Sequence, residues 1–268
     1  MPTTDRLHFF ANEADNYIRP PVILIHGSGG NHLSWPPQVR RMHDQRGFAL
    51  DLPGHGRSGG IGRHRVEDYV EDILGFMKVL RINSAVWVGH SLGGAIALEA
   101  ALRFPRRVLG LGLIGCGGRL RVDPAILHSA SQDATFAAAV NLIGERSFAP
   151  GTGARLKELA LQRLAETRPS VLLGDLMACD AFDVMGQLQG VHVPALVMCG
   201  SEDQMTPPRY SEYLYRNIPG SGLQIIADAG HMVMLEKPSE VAEALGSFLD
   251  SIAYEPGGDP FRGRSLPS

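Results

Sequence analysis

The chain has 268 residues, 44% of them hydrophobic and 20% charged, with a formal net charge of −3. This composition excludes disordered and collagen-like chains, and the lack of a Lys/Arg block argues against a nucleic-acid partner or an anionic membrane surface. The length allows one large domain or two small ones, burying roughly three-quarters of the unfolded surface without a disulfide or metal staple.

Met1 to Asp15 shows no basic segment followed by an apolar stretch, so no signal peptide is expected. Leu7–Ala11 reads as a short strand. Val22–Ile25 reads as a buried one, being continuous, β-branched and preceded by Pro20-Pro21. Phe48–Leu52 is a strand ending at Pro53. Residues 65–81 carry a helical stripe of Val66, Tyr69, Val70, Ile73, Leu74, Met77 and Leu80. The strand Ala85–Val88 is followed by a helix, Leu92–Phe104, closed by Pro105. Val108–Ile114, Ala195–Cys199 and Leu223–Ile226 are further strands, and 207–217 and 238–252 read as helices.

Strands alternating with helices imply an α/β fold, a mostly parallel sheet with helices on both faces. Residues 119–193 break the rhythm with helical patches at 125–142, 154–166 and 170–178 and no convincing strand. The expected division is a core of 1–118 and 194–254, a helical cap insertion of 119–193, and a loose Pro/Gly/Ser/Arg-rich tail of 255–268. No apolar run is long enough to span a bilayer. The three cysteines, Cys116, Cys179 and Cys199, are widely spaced with no CxxC, which fits reduced thiols in a cytoplasmic protein.

The most informative string is Gly89-His90-Ser91-Leu92-Gly93, a G-x-S-x-G between a buried strand and a helix. A strand that turns at once into a helix leaves little room beside the turn. Glycines at 89 and 93 would relieve that crowding and let Ser91 adopt a strained backbone with its hydroxyl exposed. Gly110-Leu111-Gly112-Leu113-Ile114-Gly115 matches GxGxxG but lies within a strand and opens no helix, so a dinucleotide site is not expected. No P-loop, HExxH, EF-hand or metal-ligand spacing occurs, so neither a metal nor a cofactor is expected.

Four further segments accompany the serine: His26-Gly27-Ser28-Gly29-Gly30, Asp51 to Ser58, Gly200-Ser201-Glu202-Asp203, and Ala229-Gly230-His231 ahead of Glu236-Lys237-Pro238. With these the sequence resembles the α/β-hydrolase superfamily over about residues 7–252. The resemblance implies the order nucleophile, acid, histidine. A serine hydroxyl needs a base, and His231 fits because it follows a strand and a glycine in a loop expected at the carboxyl edge of the sheet. His90 lies inside the turn, His26 opens a loop, and His55 sits in a Gly-rich loop. His8, His32, His43, His64, His128 and His192 lack a strand-end loop near an acid. Asp203 and Glu202 compete as the acid that orients the histidine, and the resemblance favours Asp203. The strand Val108–Ile114 is followed by Cys116-Gly117-Gly118, which supplies no acid. The oxyanion donors would be the backbone N–H groups of Leu92 and, by resemblance, Ser28. Asp51 and Arg57 read as loop braces.

A serine at 91, where relatives with aspartate would be dehalogenases or epoxide hydrolases, implies acyl transfer to water. The expectation is a carboxylesterase-like serine hydrolase of a small or medium carboxylic ester, thioester or lactone, acting as a monomer or homodimer. An enol-lactonase and a cofactor-free perhydrolase of the haloperoxidase type share the same layout. A carbon–carbon bond hydrolase fits less well, since Leu92 stands where a methionine is expected. A non-catalytic ligand receptor is the reading from another class. Trp35, His90, Phe136, Met177, Phe182 and Met232 are the candidate substrate-binding side chains, joined by Phe148 and Met185 in suggesting an apolar lining and an uncharged acyl group.

Overall fold

The computed structural model describes residues 7–12 and 17–254. The expectations for the first residues and for the 255–268 tail lie largely or wholly outside that range. Seven strands form one sheet: β1 (Phe9–Asn12), β2 (Val22–Ile25), β3 (Gly47–Leu50), β4 (Ala85–His90), β5 (Val108–Ile114), β6 (Ala195–Gly200) and β7 (Gly222–Ile226). The order is β1-β3-β2-β4-β5-β6-β7, with β1 antiparallel to β3 and every other pair parallel.

The central strands are apolar throughout because both sheet faces are covered. Every residue of β2 (VILI) and β4 (AVWVGH) is buried. Successive side chains alternate between two cores. Ile23, Ile25 and Trp87 pack with Tyr69, Ile73 and Met77 of α2 (Val66–Val79) and with Ile96 of α3 (Leu92–Arg103). Val22, Leu24, Val86 and Val88 pack on the opposite face with Val39 of α1 (Pro37–Arg40) and with Val241, Leu245 and Leu249.

Between β5 and β6 lie α4 (Pro124–Ala130), α5 (Phe136–Ser147), α6 (Ala154–Ala165) and α7 (Pro169–Ala181). They share a small core of their own, built on Ile126, Ala130, Ala139, Leu172 and Leu176. The helix expected over 125–142 is broken at 131–135, where side chains bind local carbonyls and compete with helix continuation. Ser131 Oγ donates to the His128 carbonyl at 2.7 Å and Thr135 Oγ1 to that of Ser129 at 2.8 Å. The chain ends its described part with α8 (Pro208–Asn217), α9 (Val233–Glu236) and α10 (Pro238–Ser251). Among the described residues no helix is long and apolar enough to cross a membrane.

The chain winds from β2 outward to β3, then returns to place β4 on β2's other side. At such a reversal the loops leaving the carboxyl ends of the two strands diverge and leave a crevice. Here those loops are 26–31 after β2 and the Ser91 turn after β4.

Candidate active site

Ser91 occupies the turn between β4 and α3 with φ 53° and ψ −116°, a conformation a non-glycine residue adopts at about 1–3 kcal/mol of strain. The crowding around it explains the flanking glycines. A Cβ on Gly89 would lie 2.0 Å from the Gly93 carbonyl oxygen, and one on Gly93 would lie 2.1 Å from that of Ile25. The backbone is tied down by Ser91 N–H donating to Ile114 at 2.9 Å, while the Ser91 carbonyl accepts from Gly94 and Ala95. Ser91 itself stays partly exposed.

Ser91 and His231 line the same cavity, about 500 Å³, at the carboxyl edge of the sheet. His231 is buried and its Nδ1–H donates to Asp203 Oδ2 at 2.9 Å. The same oxygen accepts the Thr206 hydroxyl at 2.9 Å, and Oδ1 accepts the N–H groups of Met205 at 2.9 Å and Thr206 at 2.8 Å. The carboxylate is saturated. Burial opposes its ionisation, but the His231 charge and the hydrogen bonds from His231 and Thr206 outweigh that and hold Asp203 below its ordinary value. Glu202 makes no such contact; its N–H donates to the Ala229 carbonyl at 2.9 Å.

The loop carrying His231 is fastened on both sides. His90 Nε2–H donates to the His231 carbonyl at 2.9 Å. Burial, then the neighbouring His231 charge, pushes His90 down to about 3, so it stays neutral. Glu236 receives Gly230 N–H at 2.6 Å, Ala149 N–H at 3.1 Å and the Thr152 hydroxyl at 3.0 Å, joining the His231 loop to the end of α5.

Ser28 and Leu92 both border the site, Ser28 in the cavity wall and Leu92 as the first residue of α3. Among the described residues neither backbone N–H has a hydrogen-bond partner. His26 supports this loop as a neutral ring: its Nδ1–H donates to the Gly27 carbonyl at 2.8 Å and its Nε2 accepts Leu52 N–H at 3.1 Å. Burial, reinforced by the charge of His55, pushes it down to about 4.

Of the expected substrate-binding side chains, His90, Met232 and Phe148 line the cavity. The others lie elsewhere. Trp35 is fully buried in the core beneath α1 and α10, and Phe182 in the opposite core. Phe136 packs within the inserted helices, Met177 is 46% exposed on α7, and Met185 opens a short six-residue helix outside the cavity. The apolar wall comes instead from Val122, Ile126, Ile143, Leu161, Leu164 and Leu176. The same wall carries Arg121, Arg146, Arg163 and Arg209, with Arg146 paired to Asp123 at 2.6 Å, so charge borders the apolar lining. α7 has no single apolar stripe, which left Leu176 unmarked in the sequence.

Two of the histidines set aside, His8 and His32, also find an acid. Asp51 accepts His8 Nδ1–H at 2.7 Å, His32 Nδ1–H at 2.8 Å, His32 N–H at 2.7 Å and Arg57 N–H at 3.0 Å. His8, His32 and Asp51 form a buried group from three chain segments. Both carboxylate oxygens are occupied by N–H donors, so Asp51 ties together the segments that carry His8, His32 and Arg57, while His8 Nε2 is buried with no hydrogen-bond partner among the described residues. Separations of 19 and 43 residues hid it from a spacing argument.

Residues 22–244 match the alpha/beta hydrolase family model. A solved thermophilic esterase is 35% identical, with a TM-score of 0.79 over 92% of this chain and 100% of that one. The pimeloyl-[acyl-carrier protein] methyl ester esterase of Stenotrophomonas maltophilia is 30% identical across 89% of this chain and 96% of that protein. The 3-oxoadipate enol-lactonase 1 of Acinetobacter baylyi is 25% identical across 87% and 90%. The chain spans 63% of the length of the dihydrolipoyllysine-residue acetyltransferase component of the acetoin cleaving system of Pseudomonas putida, at 29% identity over 85% of this chain.

Proposed function

Since the chain belongs to the alpha/beta hydrolase family, we propose that it hydrolyses a small or medium carboxylic ester, thioester or lactone through an acyl-enzyme on Ser91. The observation that carries this reading is the buried Asp203–His231 pair, bonded at 2.9 Å, opening on the cavity that Ser91 lines. With Nδ1 committed to Asp203, the free lone pair of neutral His231 is on Nε2. That atom takes the Ser91 proton as Oγ attacks the carbonyl carbon. The oxygen of the tetrahedral intermediate takes its negative charge between the N–H groups of Ser28 and Leu92, each supplying roughly 3 kcal/mol. His231 then gives the proton to the leaving oxygen, or to sulfur in a thioester, as the acyl bond to it breaks; a water deprotonated by His231 attacks the acyl carbon, and His231 hands that proton to Ser91 Oγ as the acid leaves.

In this reading residues 1–118 and 194–254 are the hydrolase core and 119–193 the cap that shapes the acyl site. A second reading, a lactonase, is favoured by Arg163 and Arg209, the wall arginines not paired with Asp123 or Asp183, whose charge suits a lactone bearing a carboxylate. A panel of neutral esters of graded acyl length, with one carboxylate-bearing enol-lactone, separates the two. The proposal expects turnover of the panel to vanish in Ser91→Ala together with fluorophosphonate labelling. Labelling retained at another serine contradicts it. Tight ligand binding with no turnover on any member supports a receptor instead.

A further inference from the structure

We propose that Asp175 of α7 is a positioning residue for the oxyanion loop, fixing from the inserted helices the backbone that presents the Ser28 N–H. The inference rests on the Ser28 role proposed above.

Asp175 is fully buried and joins α7 to three separate parts of the sheet layer. Its Oδ2 accepts Gly29 N–H at 2.8 Å and His55 Nε2–H at 2.8 Å, and its Oδ1 accepts the Tyr69 hydroxyl at 2.5 Å. His55 Nδ1 faces the Pro53 carbonyl at 3.1 Å, an acceptor only, so that nitrogen carries a proton while Nε2 faces the carboxylate. Burial works to lower the His55 pKa, yet the Asp175 charge and hydrogen bond raise it above its ordinary value.

The peptide units around Ser28 are each held. The Gly27 carbonyl accepts Gly30 N–H at 3.0 Å and His26 Nδ1–H at 2.8 Å. In a trans peptide the Ser28 N–H points opposite to that carbonyl. The next unit is held through Gly29 N–H on Asp175, and the one after it through the Gly29 carbonyl, which accepts the Thr167 hydroxyl at 2.8 Å. Gly29 has φ +65°, and Leu164 and Leu172 pack where a Cβ would stand. Two of the three holds therefore come from residues 167 and 175, outside the sheet layer. Without Asp175 the Ser28–Gly29 unit loses its anchor, and its rotation displaces Gly30, whose N–H holds the Gly27 carbonyl and through that peptide plane the direction of the Ser28 N–H.

The test is Asp175→Asn, with Thr167→Val as the second variant should the first fail to fold. Active sites are titrated with a fluorophosphonate, and 4-nitrophenyl butyrate turnover is measured per titrated site. The inhibition constant of a trifluoromethyl ketone, whose hemiketal oxyanion fills the hole, is measured beside it. In Asp175→Asn, kcat per site is expected to fall roughly 10²-fold, the scale of a small misplacement at a reacting centre. KM should stay within about twofold and the ketone should weaken in step with kcat/KM. Thr167→Val should show the same pattern at smaller amplitude. A kcat per site within about twofold of wild type in whichever variant folds overturns the proposal. So does a loss that falls on KM with the ketone-to-substrate ratio unchanged. If the wild type is not labelled at Ser91, the underlying hydrolase reading fails; if it is, and the variants behave as wild type, only the present inference fails.

Discussion

Asp203→Asn separates tautomer control from packing. The two side chains have nearly the same volume, so the loop of residues 203–206 retains its shape. In the wild type Oδ1 holds the N–H groups of Met205 and Thr206, and Oδ2 holds the Thr206 hydroxyl and His231 Nδ1–H. The asparagine oxygen stays with the two backbone donors, since turning the amide would set two N–H groups against them. Its NH₂ then faces His231 Nδ1 and must be accepted there. The imidazole proton moves to Nε2, and the atom that should take the Ser91 proton already carries one. The expected loss is about 10⁴-fold in kcat, or about 5.4 kcal/mol at 1.36 kcal/mol per decade. Steady-state hydrolysis of a 4-nitrophenyl ester measures it, with Tm as the control for folding. A variant that keeps wild-type Tm and loses less than about tenfold in kcat would refute the tautomer argument.

Gly93→Ala places a Cβ 2.1 Å from the Ile25 carbonyl oxygen, so overpacking of about 2–3 kcal/mol should lower Tm by roughly 5–10 °C in a thermal melt. Asp203 is held below its ordinary value in the folded chain, so its contribution to stability is full above the unfolded carboxylate pKa of about 4 and fades as pH falls through the folded value. Melts from pH 6 to pH 3 should therefore show a smaller loss of Tm in Asp203→Asn than in the wild type; parallel losses would remove Asp203 from the acid response. Burial pushes the thiols of Cys116 and Cys179 up to about 12 and raises that of Cys199, so Ellman's reagent at pH 8 should titrate no thiol in the native protein and three in denaturant.

The sheet was legible because strands buried on both faces read as unbroken apolar runs; β2 and β5 fall where the sequence placed them. The Ser91 turn was legible because its crowding demands glycines at fixed offsets. The cavity wall was not. Its apolar positions depend on how four helices of the insertion pack, and α7 is apolar nearly all round, with Val171 and Leu172 buried and Met177 exposed. Large side chains such as Trp35 and Phe182 went to the cores, where they bury the most area, rather than to the site. The Asp175–His55 pair joins residues 120 apart, and no local pattern announces it. Chain order located the groups of the proposed chemistry; tertiary packing alone located the groups that hold them.

Trapping the acyl group tests the Ser91 chemistry most directly. The protein is mixed with 4-nitrophenyl butyrate, quenched in acid during the burst and digested for mass spectrometry. The butyryl mass is expected on the peptide containing Ser91, at a stoichiometry matching the burst of nitrophenol. A burst with the acyl group on another residue, or turnover with Ser91 never modified at any quench time, contradicts it.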